Sequence, residues 1–203
     1  MKRVVNKAFY IVIIALLPVF AACQQQTFTP KPRGYFRIDL PEKQYRLFDE
    51  PGYPYSFEYP VYANIVKDTL FFDEKAENPW WINVDFPEMN GKIYMSYKAV
   101  GANNSLDKLI GDAFKLTYKH TAKAESIEES SINTTNHAHG LFYEIGGNAA
   151  SAKQFFVTDS ARHFLRGALY FYAPPNADSL APMHKFLEED MWHMVETLKW
   201  KAN

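Results

Sequence analysis

The sequence predicts an α+β fold in which one antiparallel β-sheet packs between α-helices. Three observations lead to this prediction. Residues 81–86 and 92–98 alternate between apolar and polar side chains, a four-strand pattern fills residues 123–173, and apolar residues recur at helical spacing before and after that pattern. The element order is therefore strands, a helix, an antiparallel meander and a second helix.

The first two predicted strands form a hairpin. The segment between them, Pro87-Glu-Met-Asn-Gly91, has turn chemistry, and each strand has one apolar face. These faces comprise Ile82, Val84 and Phe86 in the first strand and Ile93, Met95 and Tyr97 in the second.

A helix is predicted next, capped by Asn104 or Ser105 and ending near His120. Basic residues in its last turn suit the negative end of the helix dipole. Its apolar residues recur at intervals of three and four and therefore share one face. They are Leu106, Leu109, Ile110, Ala113, Phe114 and Thr117.

Four strands are predicted at residues 123–132, 139–145, 153–158 and 162–173, joined by turn-rich connections. The fourth strand is apolar on both faces, which is typical of a strand inside a sheet that is covered on both sides.

The C-terminal helix is predicted to start at Asp178 or Ser179, with Pro182 in its first turn. Its polar side is expected to face water and comprises Glu188, Glu189, His193 and Glu196.

Residues 35–62 are rich in proline and tyrosine. Because proline cannot donate to a strand ladder, any strand here is expected to be short or at a sheet edge. We therefore expect an ordered segment whose aromatic rings pack onto the domain.

The N-terminus has the pattern of a secretory signal peptide. Lys2, Arg3 and Lys7 precede a 15-residue apolar run, 8–22, which contains Pro18 and is too short to favour a membrane span. The only cysteine, Cys23, follows directly. This pattern predicts a bacterial lipoprotein with signal peptide 1–22, which is removed, and an acyl lipid such as palmitate on Cys23.

Two further segments follow the cysteine. Residues 23–34 comprise the lipidated cysteine and a polar, proline-containing stretch that is predicted to be a flexible tether. Residues 35–203 are predicted to form a single α+β domain. The mature chain has 19 basic and 23 acidic side chains, because the signal peptide removes three basic ones, so composition gives no case for nucleic-acid binding.

No motif makes a convincing catalytic or metal site. His137-Ala-His139 has metal-ligand residue types but no further ligand at close spacing, and Asp159, Ser160 and His163 have triad residue types within a predicted turn. No glycine-rich phosphate loop, paired CxxC or HExxH motif occurs. We expect no cofactor, no metal and no enzymatic activity.

Several segments resemble the GldD family of gliding motility lipoproteins of Bacteroidetes. They include Pro30-Lys-Pro-Arg-Gly-Tyr-Phe-Arg-Ile38, Met95-Ser-Tyr-Lys98 and the segments 154–171, 175–182 and 196–200. The element order of the second half, with a strand-like tail after the last helix, is also similar to the Mog1/PsbP-like fold.

The resemblance implies an accessory lipoprotein of the gliding machinery, linked to type IX secretion and working with other envelope proteins of these systems. It implies a periplasm-facing location, with the outer membrane favoured over the inner. The alternative is an envelope enzyme or glycan-binding module that acts on cell-wall sugars. The predicted partner surface consists of Tyr35, Phe36, Arg37, Trp80, Trp81, Arg162, His163 and Arg166.

Overall fold

A computed structural model describes residues 37–67, 70–71, 74–75 and 77–201. The predicted signal peptide, Cys23 and the tether lie outside these residues. The chain divides into two compact units, Met1–Ile38 and Asp39–Asn203. The described residues of the first unit, Arg37 and Ile38, are exposed and have no regular secondary structure.

All described strands and helices belong to the second unit. The strands are β1 (Tyr45–Phe48), β2 (Tyr55–Pro60), β3 (Asn64–Lys67), β4 (Leu70–Phe71), β5 (Glu74–Lys75), β6 (Ile82–Phe86), β7 (Gly91–Ala99), β8 (Ala124–Asn133), β9 (His139–Gly147), β10 (Lys153–Thr158), β11 (His163–Phe171) and β12 (Lys199–Trp200). The helices are α1 (Leu106–Tyr118) and α2 (Ala177–Thr197). Short 3-10 turns occur at Pro87–Met89 and Lys119–Ala122.

The main sheet has seven antiparallel strands in the order β3-β6-β7-β11-β10-β9-β8. The predicted hairpin is confirmed as β6–β7, and the predicted meander is confirmed as β8 to β11. Strand β11 is the central strand, as its two apolar faces predict. Strand β11 pairs with β7 on one side and with β10 on the other, and the pairing with β7 places Leu165 opposite Tyr97.

Two helices and a second sheet cover the main sheet. On one face α1 packs through Leu109 and Ala113 onto Tyr143, Phe156 and Phe164. On the other face lie α2 and the three-stranded sheet β1-β2-β12. The α+β class with an antiparallel sheet between helices is therefore confirmed. No helix within the described ranges is long and apolar enough to cross a membrane.

The second sheet differs from the sequence prediction for residues 35–62. Strand β2 is not an edge strand, because β1 pairs with one side of it and β12 with the other. Its only proline, Pro60, is its last residue and so leaves the other ladder positions intact. Tyr55 and Phe57 of β2 are fully buried against the main sheet.

Helix α2 also differs in detail. It begins at Ala177 because Asn176 caps it, its Oδ1 accepting the Ser179 N–H at 3.1 Å. Pro182 therefore lies inside the helix rather than in its first turn. The prediction that His193 faces water holds only in part, since its side chain is 29% exposed. Its ring stacks on Tyr45 with centroids 3.6 Å apart.

One buried carboxylate holds the second sheet against α2. Asp190 is fully buried, and its Oδ1 accepts hydrogen bonds from Lys43 Nζ at 2.7 Å and Tyr45 OH at 2.9 Å. Its Oδ2 accepts one from Tyr62 OH at 2.6 Å. Burial and the hydrogen bond to Asp190 raise the pKa of both tyrosines, so both hydroxyls remain donors.

Replacing Asp190 with alanine is expected to lower the free energy of unfolding by about 3 kcal/mol, because it leaves the partly buried Lys43 ammonium without its closest anion and two hydroxyls without their acceptor. Urea denaturation of the purified chain measures the change. The matched control is Glu189→Ala, since that exposed carboxylate lies 3.9 Å from the same ammonium, and its expected cost is about 0.5 kcal/mol or less. Equal costs for both variants would contradict the role given to Asp190.

Candidate functional site

The two tryptophans of the predicted partner surface pack around Tyr97. Trp81 is buried, and its Nε1–H donates to the Tyr97 carbonyl oxygen at 2.7 Å. Trp80 is half-buried, lies edge-on to the Tyr97 ring and donates its Nε1–H to the Gly52 carbonyl oxygen at 2.7 Å. The indoles thus have structural partners and do not form an open platform for sugars.

His163 is also buried. Its Nδ1 lies 2.7 Å from the Tyr97 hydroxyl, and its ring stacks on Trp200 with centroids 5.1 Å apart. Burial lowers the pKa of His163, although the nearby Asp159 carboxylate opposes that shift. This imidazole therefore connects β7, β11 and β12 across one core.

Asp159 organises a turn rather than a catalytic group. Its Oδ1 accepts the backbone N–H groups of Ala161, Arg162 and His163 at 2.8–3.0 Å. Burial raises the pKa of Asp159, but these three bonds outweigh it and leave that pKa below its usual value. Ser160 adopts a left-handed backbone with φ of 65°. The three residue types of a triad thus occur in the geometry of a turn.

The remaining predicted surface residues fall in different places. Tyr35 and Phe36 lie outside the described residues, and Arg37 and Arg162 are exposed. His137 has a left-handed backbone, while His139 lies 3.1 Å from the Asn133 side-chain oxygen. Within the described part of the chain, no group of three His, Cys, Asp or Glu side chains is placed to hold a metal ion.

Arg166 of β11 lies in a cleft between α1 and the main sheet. The cleft has a volume of about 320 Å³. Its walls are partly apolar and its mouth is basic. It is lined by Ser96, Lys98, Leu109, Asp112, Ala113, Lys115, Leu116, Lys119, Phe164 and Arg166.

The Arg166 side chain is held but its charge is not neutralised. Only 9 % of the residue is exposed, and its Nη2–H donates to Gln154 Oε1 at 2.5 Å. Thr117 Oγ1 of α1 bonds the same oxygen at 3.2 Å. No carboxylate of the described residues forms an ion pair with Arg166. Its buried Nε and the buried Gln154 Nε2 have no hydrogen-bond partner there either.

The lysines at the mouth of the cleft make its field positive. Lys98 pairs with Glu77 at 2.6 Å, and Lys115 lies 3.8 Å from Asp112, both pairs being solvent-accessible. Lys119 forms no ion pair with any described residue. Exposed ion pairs such as these are weak and screened, so their carboxylates do little to offset the charge of the buried guanidinium.

A second cavity, of about 270 Å³, lies between β9 and the first turns of α2. Its buried cation is Lys153, which pairs with Glu144 at 2.5 Å and with Glu188 at 2.6 Å. The charge of this buried cation is therefore neutralised by carboxylates of the same domain. This contrast makes the cleft at Arg166, rather than the second cavity, the candidate functional site.

Sequence reasoning placed Arg166 among candidate partner residues but did not find the cleft around it. The available signal was the position of an arginine in the middle of a strand that is apolar on both faces. Gln154, one strand away, was missed because nothing in its spacing points to Arg166. Lys115 and Lys119 appeared only as the basic end of the predicted helix, and Lys98 only as the end of a predicted strand.

The chain is similar to a protein family in sequence and to a solved structure in fold. A sequence profile described as "Gliding motility lipoprotein GldD" matches residues 25–200. No curated protein matches the chain in sequence. One solved structure similar to this chain is the solution structure of cyanobacterial PsbP (CyanoP) from Synechocystis sp. PCC 6803, with 11% identity and a TM-score of 0.46. The match covers 84% of this chain and 100% of that one.

His184 lines the second cavity. Burial, together with Lys153, lowers the pKa of His184 from 6.5 to about 4. Between these values the unfolded chain binds a proton that the native chain does not, so the free energy of unfolding falls as the pH drops from about 6.5 to about 4. His184→Gln is expected to reduce that fall, measured by urea denaturation at pH 7.5 and 5.

The matched control is His139→Gln, because His139 is exposed at a strand end. It is expected to keep the wild-type pH dependence. If His184→Gln kept the full wild-type loss of stability in acid, the half-buried, neutral state assigned to this imidazole would be wrong.

Proposed function

Because the chain belongs to the GldD family of gliding motility lipoproteins, we propose that it is a non-enzymatic accessory component of the gliding machinery linked to type IX secretion. In this proposal a lipid on Cys23 anchors it to the envelope, facing the periplasm and preferably at the outer membrane. Its folded domain acts by docking on other envelope proteins of these systems.

The observation that carries the docking role is the cleft at Arg166. A buried guanidinium without an internal anion is costly in an isolated protein. Leu116 at the mouth of the cleft is 40% exposed. Arginine is among the residue types that dominate protein interfaces, and here it lies in a cleft with apolar walls and one exposed apolar side chain. The combination supports a surface that is completed by a partner.

Catalysis has weaker support. One oxygen of the Asp159 carboxylate, Oδ1, accepts three backbone N–H groups, and the His163 ring is buried beside Tyr97 and Trp200. Glycan binding on the two tryptophans would need exposed indole faces, and Trp81 is buried. The groups that the enzyme and glycan hypotheses require are thus used in packing and turn formation.

Cys23→Ala tests the anchored role in the native host. The lipid contributes about 0.8 kcal/mol of membrane binding per buried CH₂. The variant is therefore expected to lose palmitate labelling, move to the soluble fraction and abolish gliding. Microscopy of cells on agar or glass, with immunoblots of membrane and soluble fractions, measures these effects.

Two controls accompany this test. Gln24→Ala retains the cysteine and should retain labelling and gliding. Ser160→Ala removes the hydroxyl of the turn and should leave gliding unchanged, because the proposal gives it no chemistry. Full gliding with soluble protein would contradict the anchored role, and loss of gliding in a folded Ser160→Ala protein would favour an enzyme.

A further inference from the structure

We propose that the cleft between α1 and the main sheet binds an acidic segment of a partner polypeptide, with one of its carboxylates paired to Arg166. This inference rests on the docking role proposed above and assigns that role to one surface and one chemistry. It also predicts which part of the domain can mutate without loss of docking.

The buried polar atoms around Arg166 indicate the chemistry of the ligand. Arg166 Nε and Gln154 Nε2 are both buried donors, and both lack an acceptor among the described residues. A guanidinium has only donors, so a further donor cannot satisfy it. A carboxylate is a pure acceptor, and it pairs with the planar edge of arginine through two parallel hydrogen bonds.

Hydrogen bonds already hold the Arg166 side chain in place. Gln154 Oε1 accepts from Arg166 Nη2, and the Thr117 hydroxyl on α1 bonds the same oxygen. These contacts fix the guanidinium between strand β10 and helix α1. A group held in place in this way loses little side-chain entropy when an anion arrives.

The apolar walls of the cleft favour a polypeptide as the source of the carboxylate. Leu109, Ala113 and Phe164 form apolar walls beside Arg166, and Leu116 extends the apolar surface to the mouth of the cleft. A cavity of about 320 Å³ can hold a few side chains, so it fits an acidic residue with apolar neighbours. The lysines at the mouth attract the same partner during encounter.

The test uses the full-length lipoprotein in its native host, with a benzophenone amino acid in place of Leu116. Leu47 on β1, which is 61% exposed, is the control position. Crosslinking at position 116 is compared in wild type, Arg166→Gln and Lys119→Glu. The expected result is one defined protein, joined through a segment that contains Asp, Glu or a C-terminal carboxylate.

Arg166→Gln is expected to reduce this crosslink by about tenfold, as for an interface hot spot. Lys119→Glu changes only an exposed charge, so it tests the site without disturbing the core, and we expect a several-fold reduction. Lys185→Glu, an exposed cation on α2, should leave crosslinking unchanged. Immunoblots of the membrane fraction verify that each variant accumulates to the wild-type level.

Any of three results at position 116 would overturn the proposal: a crosslink that neither charge variant reduces, a joined segment without acidic groups, or a crosslink to lipid alone. Protein crosslinks at position 47 but not at 116 would retain the docking role and reject this cleft. Absence of protein crosslinks at both positions would reject the docking role as well.

Discussion

The fold depends on the burial of one carboxylate. Asp190 of α2 binds Lys43, Tyr45 and Tyr62, so it joins the start of the described domain to its last helix. The second sheet and α2 pack together on one face of the main sheet. On the opposite face, the described part of the chain provides the 13 residues of α1 and a short 3-10 turn. The cleft at Arg166 is a consequence of this unequal covering.

Asp190 and Arg166 show two different treatments of a buried charge. The carboxylate has a cation and two hydroxyl donors within 2.9 Å, and its hydrogen bonds offset the cost of its desolvation. The guanidinium has a neutral amide oxygen as its polar partner, and its Nε and the nearby Gln154 Nε2 have no acceptor among the described residues. The same domain therefore pairs the buried charge of Asp190 fully and leaves that of Arg166 without a carboxylate among the described residues. We therefore interpret the unpaired arginine as a functional feature, retained for a partner rather than for stability.

The elements with a clear period could be predicted from the sequence, and those without one could not. Residues 81–98, helix α1 and the meander from β8 to β11 follow their apolar patterns closely. Strand β2 was missed as a central strand because its pairing with β12 joins residues about 140 positions apart, which local patterns do not report. For the same reason sequence alone identified Arg166 but not its surroundings. Its contacts with Gln154, and the wall that Leu109 adds, exist only once β10 and α1 are in place.

In our proposal Arg166 is maintained for binding at a cost to stability. Urea denaturation of purified Arg166→Met measures this cost, because the variant replaces the guanidinium with an apolar side chain that can occupy much of the same space. We expect the free energy of unfolding to rise by about 1 kcal/mol or more, since an uncompensated buried charge is removed. A fall of about 3 kcal/mol, the usual cost of breaking a satisfied buried pair, would show instead that Arg166 is a structural residue.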